Sequence, residues 1–99
     1  MEYLKKYDIT EEEIKELKEI YNEDIIKFLK ENEMFISEKL EYLKKEKYSI
    51  YPILKGNIRI FLEIMPALKR KIEIMQNKKI SKKEIQIILM SENLYSKVS

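Results

Sequence analysis

The side chains of this chain that could do chemistry are carboxylates and amines. Its 99 residues include no histidine and no cysteine, so the usual general base at neutral pH, a thiol nucleophile and the preferred zinc ligands are all missing. Carboxylates one helical turn apart, such as Glu12 and Glu16, have lysine neighbours at helical spacing and fit a solvated helix surface better than a metal site. The composition predicts a protein that is not an enzyme, with no catalytic residue and no metal ligand.

Gly56 is the only glycine, whereas a phosphate-cradling loop needs several, so we expect no cofactor. Without cysteine the chain has no disulfide framework, and its first residues lack the pattern of a secretory signal, which together favour the cytoplasm. No apolar stretch reaches the length of about 20 residues that spans a bilayer. The most apolar one, residues 58–68, is interrupted by Arg59, Glu63 and Pro66. We expect no membrane partner.

Charge differs strongly between the two halves of the chain. Residues 1–47 hold 10 lysines against 14 acidic residues, a net charge of −4, whereas residues 48–99 hold 10 lysines or arginines against four glutamates, a net charge of +6. Lysine and glutamate are also good residues for an exposed helix surface, which is the ordinary explanation. A basic half fits a nucleic acid or an acidic protein partner. The candidate binding residues are Lys55, Arg59, Arg70, Lys71, Lys78, Lys79, Lys82 and Lys83.

Four of these candidates are expected to converge. Successive helical residues point about 100° apart, so Lys69, Arg70 and Lys71 cannot all face one partner. Lys78 to Lys83 instead surround a predicted turn between helices. For any single lysine, the competing explanation is that it complements a helix dipole. If about five basic side chains met phosphates, the affinity would fall several hundred-fold between about 50 and 200 mM salt, and shape rather than sequence would be read.

An internal repeat positions these residues. Residues 26–49 and 58–81 match at an offset of 32 without a gap, with apolar residues answering apolar ones. Periods of about 20 to 50 residues are typical of stacked helical units that present a binding surface. We expect an all-α fold, a short helical-repeat (α-solenoid-like) bundle of about 5–6 helices in a single domain over residues 1–99. Its repeat units cover about residues 10–48 and 49–80, followed by a partial capping repeat over 81–99.

Local signals mark the helix ends. Thr10 with Glu13 and Ser81 with Glu84 have the spacing of capping boxes. A further helix is expected over residues 24–30, and Gly56 with Asn57 is a helix-stop signal. Residues 1–8 could form one short packed turn or a frayed end. A coiled coil or simple helical hairpin is the alternative fold, although its heptads would be interrupted by two prolines.

The apolar register of each unit follows positions 0, +2, +3, +10, +14 and +17, which are filled by Ile26, Phe28, Leu29, Ile36, Leu40 and Leu43, then by Ile58, Ile60, Phe61, Leu68, Ile72 and Met75. This spacing resembles the repeat of the mitochondrial transcription termination factor (mTERF) proteins over about residues 10–94. The family usually has proline at position 0, where this chain has Ile26 and Ile58. The resemblance implies an α-solenoid that binds nucleic acid.

Two aromatic residues, Tyr48 and Tyr51, lie beside the basic segment. Their rings could stack on unpaired bases, but a ring at the edge of the core with its hydroxyl in water is the stronger interpretation.

Together these features predict a small non-enzymatic binding protein whose basic C-terminal half engages nucleic acid or a nucleic-acid-associated complex. The alternative is a protein-protein interaction module, such as a phage or mobile-element-encoded inhibitor or adaptor, that docks on an acidic protein partner. A third hypothesis is a homodimer in which a second copy covers an exposed apolar face over residues 58–64.

Overall fold

The computed structural model describes all 99 residues, and its nine helices without any strand confirm the all-α prediction. The expected number of about 5–6 helices is too low, because α5 and α8 are shorter than the two turns over which a periodic apolar stripe becomes visible. The bounds are Glu2–Tyr7 for an N-terminal 3-10 helix, then Glu11–Ile20 (α1), Glu23–Glu31 (α2), Glu33–Lys45 (α3), Ile50–Gly56 (α4), Arg59–Leu62 (α5), Met65–Asn77 (α6), Lys82–Leu89 (α7) and Glu92–Ser96 (α8).

The chain divides into two compact units, Met1–Tyr51 and Pro52–Ser99. Residues 48–51 carry no charge, so the net charges of −4 and +6 that the sequence gives its two halves belong to these units themselves. We call Met1–Tyr51 the acidic unit and Pro52–Ser99 the basic unit. None of the nine helices combines the length and the apolar character needed to cross a bilayer.

The N-terminal 3-10 helix is part of the core of the acidic unit. Tyr3, Leu4 and Tyr7 are buried, and the Tyr3 hydroxyl donates a hydrogen bond of 2.6 Å to the carbonyl oxygen of Leu29. Burial raises the pKa of the Tyr3 hydroxyl well above its usual range. The first residues therefore form a packed turn rather than a frayed end.

Side-chain caps start four of the helices, α1, α2, α7 and α8. The Thr10 hydroxyl accepts a hydrogen bond of 3.1 Å from the Glu13 N–H, and the Glu13 carboxylate accepts one of 2.9 Å from the Thr10 N–H, which confirms the predicted capping box. The Asn22 side chain accepts from the Ile25 N–H at 3.0 Å, so α2 begins at Glu23, one residue before the predicted start. Only the serine half of the second predicted box forms, with Ser81 accepting from the Glu84 N–H at 3.2 Å.

The period of 32 residues is present in the backbone. Helices α3 and α6 each have 13 residues, and α6 begins and ends 32 positions after α3. Both helices are followed by a left-handed lysine, Lys47 with a φ of 64° and Lys79 with a φ of 59°.

Each of these helices ends in a Schellman motif, in which two main-chain N–H groups satisfy carbonyls of the last turn. After α3, the Lys47 N–H donates to the carbonyl oxygen of Lys44 at 3.0 Å and the Tyr48 N–H donates to that of Leu43 at 2.9 Å. After α6, the Lys79 N–H donates to the carbonyl oxygen of Gln76 at 2.9 Å and the Ile80 N–H donates to that of Met75 at 3.1 Å. The repeated apolar pattern thus corresponds to repeated helix ends.

Gly56 ends α4 where main chain of another segment lies against it. A Cβ on Gly56 would overlap the carbonyl oxygen of Met90, so only glycine fits. The next residue, Asn57, is fully buried, and its side-chain nitrogen donates a hydrogen bond of 3.0 Å to the carbonyl oxygen of Leu89. The two residues of the predicted helix stop therefore also join the end of α4 to the end of α7.

The apolar segment over residues 58–64 is mostly core. Ile58, Ile60 and Phe61 are buried, while Leu62 and Ile64 are 41% and 62% exposed. A continuous exposed face over this segment, as the homodimer hypothesis assumes, is therefore wrong. Only its last part is open to a partner.

Candidate nucleic-acid interface

The turn between α6 and α7 carries four lysines, Lys78, Lys79, Lys82 and Lys83, which we call the basic corner. Lys78 is the C-cap residue of α6, and Lys79 follows it in the left-handed conformation. Lys82 and Lys83 are the first two residues of α7. All four side chains are exposed. The structure thus places these residues around one turn, as the sequence predicts.

The backbone of the basic corner is fixed from both sides. On the α6 side, the Ile80 N–H bonds to the carbonyl oxygen of Met75 at 3.1 Å. On the α7 side, the Ser81 hydroxyl caps the helix through the Glu84 N–H. Met75 and Ile85 anchor the two helix ends in the core, where each is 1% exposed. The separation of the four lysine Cα atoms is therefore set by the fold, and only the flexible side chains adapt.

The helix dipole favours two of the four lysines and opposes the other two. Lys78 and Lys79 follow the C-terminus of α6, where cations are stabilising, but Lys82 and Lys83 stand at the N-terminus of α7, where the free N–H groups are already positive. Glu84 is the one acidic residue in that first turn. Favourable interaction with a helix dipole therefore explains Lys78 and Lys79 but not Lys82 and Lys83.

The repeat does not reproduce the basic corner position by position, although Lys44, Lys45 and Lys47 lie at the equivalent turn. At an offset of 32, the residues equivalent to the basic corner are Glu46, Lys47, Ile50 and Tyr51. The turn between α3 and α4 thus has one lysine and one glutamate at these positions. It is a natural internal control for the basic corner.

The other four candidates lie on three helices away from the turn. Lys55 is in the last turn of α4. Arg59 of α5 forms ion pairs with Glu63 at 3.9 Å and with Glu92 at 3.8 Å. Arg70 is exposed on α6 and lines a groove of about 310 Å³. Ser99 lines the same groove, and its carbonyl oxygen accepts a hydrogen bond of 2.9 Å from Nζ of Lys78, so Arg70 shares this neighbour with one lysine of the basic corner.

Lys71 has an intramolecular role. Its Nζ lies 4.1 Å from the centroid of the Tyr95 ring and donates a hydrogen bond of 3.0 Å to the Tyr95 carbonyl oxygen. The side chain is half-buried. Lys71 thus ties α6 to α8, and a partner would have to displace these contacts to use its charge.

Lys39 is a residue that sequence reasoning missed. It is fully buried, and its Nζ lies 3.4 Å from the centroid of the Phe35 ring. Lys39 is the equivalent of Lys71 at the offset of 32, so the repeat places a lysine against an aromatic ring twice. The pairing of two identical residues in the repeat was the available signal, but lysine is ordinarily assigned to the surface.

The two tyrosines next to the basic segment are buried or half-buried. Tyr48 is 7% exposed, so its stacking hypothesis is wrong. The Tyr51 ring is half-buried, and its hydroxyl donates to the carboxylate of Glu16. Burial, followed by the bond to Glu16, raises the pKa of Tyr51 well above its usual range. Tyr51 therefore ties the start of α4 to α1.

A groove of about 510 Å³ in the acidic unit is lined by both signs of charge, with Lys27 and Glu31 at 3.9 Å. No group of three or more acidic side chains is arranged to hold a metal ion.

No family model, no curated protein and no solved structure matches this chain. The resemblance to the mTERF repeat therefore stays a prediction.

Proposed function

We propose that this chain is a non-enzymatic binding protein whose basic unit engages nucleic acid through the basic corner. The main support is that four exposed lysines lie around one fixed turn. Two of them stand at the N-terminus of α7, where positive charge is unfavourable. A polyanion at this turn would relieve that repulsion and release its condensed counterions. The apolar spacing that resembles the mTERF repeat is a second support.

The proposed contacts are to phosphate oxygens. Lysine ammonium groups act as mobile point charges, and the N-terminus of α7 adds main-chain N–H groups that favour an anion. Such contacts position a protein on a nucleic acid without reading base edges. We therefore expect binding that is strongly salt-dependent and weakly sequence-dependent.

Fluorescence anisotropy with labelled DNA and RNA tests the proposal. The test variant is Lys82→Glu with Lys83→Glu, and the control is Lys45→Glu with Lys47→Glu, an equal change of net charge at exposed residues of the other turn. With about four phosphate contacts, wild-type affinity should fall roughly a hundredfold between about 50 and 200 mM salt. The test variant should lose binding and the control should retain most of it. Absence of wild-type binding at low salt, or equal losses in both variants, contradicts the proposal.

A second candidate function is a protein-protein interaction module that docks on an acidic protein partner. The observation that favours it is a set of large apolar side chains exposed by 41–62% in the basic unit, which are Leu62, Ile64, Ile87 and Leu94. A cognate complex of this kind would persist at high salt and would weaken when Leu62 and Ile64 are both changed to serine. Self-association through the same side chains would double the mass of 12.1 kDa in light scattering.

A further inference from the structure

We infer that the nucleic acid held by the basic corner is double-stranded and is gripped by its phosphates, with no stacking on unpaired bases. The inference rests on the proposed function and adds the class of partner. It comes from the aromatic residues and the basic residues of the same unit considered together.

The basic unit has no aromatic surface. Proteins that bind single strands stack successive bases on aromatic side chains that line a positive groove. Phe61 and Tyr95 are the two aromatic residues of residues 52–99, and both are 0% exposed. In the acidic unit, too, every tyrosine and phenylalanine is buried or half-buried. A single strand at the basic corner would find charge but no stacking platform.

Tyr95 is also held in place by specific contacts. Lys71 lies over its ring and bonds to its carbonyl oxygen, while its hydroxyl donates to the Glu63 carboxylate at 3.2 Å. Turning the ring outward would break these contacts and open the core. The structure therefore offers no easy route to an exposed ring.

The cations at the corner are of the kind that cannot stack. All four are lysines, and an ammonium group lacks the planar face with which an arginine stacks on a base. Of the two arginines in the unit, Arg59 is paired with Glu63 and Glu92. Arg70 lies on α6, away from the turn. The corner thus provides ammonium groups without a stacking face, and that of Lys78 also donates a hydrogen bond of 2.9 Å to the carbonyl oxygen of Ser99.

A compact group of charges is best matched by the denser phosphate array. A duplex presents one phosphate charge per about 1.7 Å of axis, twice the density of one of its strands, and gains more from each neutralised phosphate. Four lysines lie within six residues, 78–83, so several phosphates must lie close together if all four are to be neutralised. The geometry therefore favours a duplex over a single strand.

The experiment compares a labelled DNA duplex of mixed sequence with each of its two strands, using the full chain at about 50 mM salt. For about four contacts, the different counterion release predicts that the duplex binds about tenfold more tightly than either strand. A duplex of RNA with its two strands is a further arm, and tighter binding to either duplex than to its own strands supports the inference. A single strand that binds as tightly as the duplexes, or more tightly, overturns it while leaving the proposed function intact.

An abasic single strand of the same length provides an independent readout. Without stacking it should bind within about twofold of the normal strand, because only its phosphates are used. Loss of about fivefold or more on removal of the bases would show that they are stacked, since one stacked base contributes at least about 1 kcal/mol. Absence of binding to every probe overturns the proposed function itself, which distinguishes the two failures.

Discussion

The side-chain nitrogen of Asn57 donates a hydrogen bond of 3.0 Å to the carbonyl oxygen of Leu89, which follows it by 32 residues, one full period of the repeat. The Tyr95 hydroxyl and the Glu63 carboxylate are also 32 residues apart and are joined at 3.2 Å. Equivalent positions of successive repeats are therefore bonded to one another within the basic unit. These bonds hold α4, α5, α7 and α8 together and support the helix that begins at the basic corner.

Replacement of Asn57 by leucine should destabilise the chain by about 1–3 kcal/mol, because the buried carbonyl of Leu89 loses its donor. Urea unfolding followed by circular dichroism measures the loss. The matched control is Asn77→Leu, at an exposed residue that ends α6, which should change the free energy of unfolding by less than about 0.5 kcal/mol. Equal effects of the two changes would show that the Asn57 bond contributes nothing specific.

The change Gly56→Ala should destabilise the chain, although alanine is the better helix former by about 1 kcal/mol at an open position. The added Cβ meets main chain at Met90, which cannot move aside as a flexible side chain could. We expect a net loss of about 1–3 kcal/mol, read from the urea midpoint. An increase in stability would mean that the ends of α4 and α7 are further apart than the structure has them.

Glycine at either left-handed lysine should stabilise the chain by up to about 1 kcal/mol, because glycine adopts a positive φ without steric strain. Lys47→Gly and Lys79→Gly should raise the melting temperature by similar amounts. Their effects on DNA binding should differ. Lys79→Gly removes one charge from the basic corner and should lower the salt slope by about 0.9, whereas Lys47→Gly should leave it unchanged. Similar slopes for both variants would place the nucleic acid elsewhere.

Stability should fall at alkaline pH. Burial, and then the nearby Glu63, raises the pKa of Tyr95 well above its usual range, and burial does the same for Tyr3. A raised folded-state pKa stabilises the protein fully below the ordinary value of about 10, and this contribution is lost as the pH rises from there towards the folded-state pKa.

Each such tyrosine changes the free energy of unfolding by up to about 1.4 kcal/mol per pH unit above that value. Tyr95→Phe should make the decline less steep, although it also loses the bond to Glu63. Urea unfolding at a series of alkaline pH values measures the slopes. Parallel curves for wild type and variant would contradict the assignment.

The sequence predicts much of the helical framework through its repeat. The offset that pairs Ile36 with Leu68 and Leu43 with Met75 locates α3 and α6, because buried positions impose the same apolar period on both helices. Thr10 and Glu13 mark the start of α1 because a capping box has a fixed spacing. The basic corner was predictable for the same reason, since the end of one apolar stripe and the serine cap of the next bracket its lysines.

Other features were out of reach because they depend on tertiary contacts. Helix α8 is five residues long and is held by the buried Tyr95. No local sequence pattern predicts that this tyrosine is buried. The commitment of Arg59 and Lys71 to intramolecular partners cannot be read from a charge count. The sequence predicts Gly56 only as a helix stop, and the close contact between Gly56 and the main chain of Met90 cannot be predicted from it.

The buried Lys39 has a practical consequence. Its amine lies against Phe35 and out of solvent, while the lysines of the basic corner are exposed. An acylating reagent can therefore reach Lys39 only when the acidic unit opens, and the rate at which that one amine is labelled reports the opening. Peptide mapping after timed acetylation would thus measure the local opening of the acidic unit at a single site, without an introduced probe.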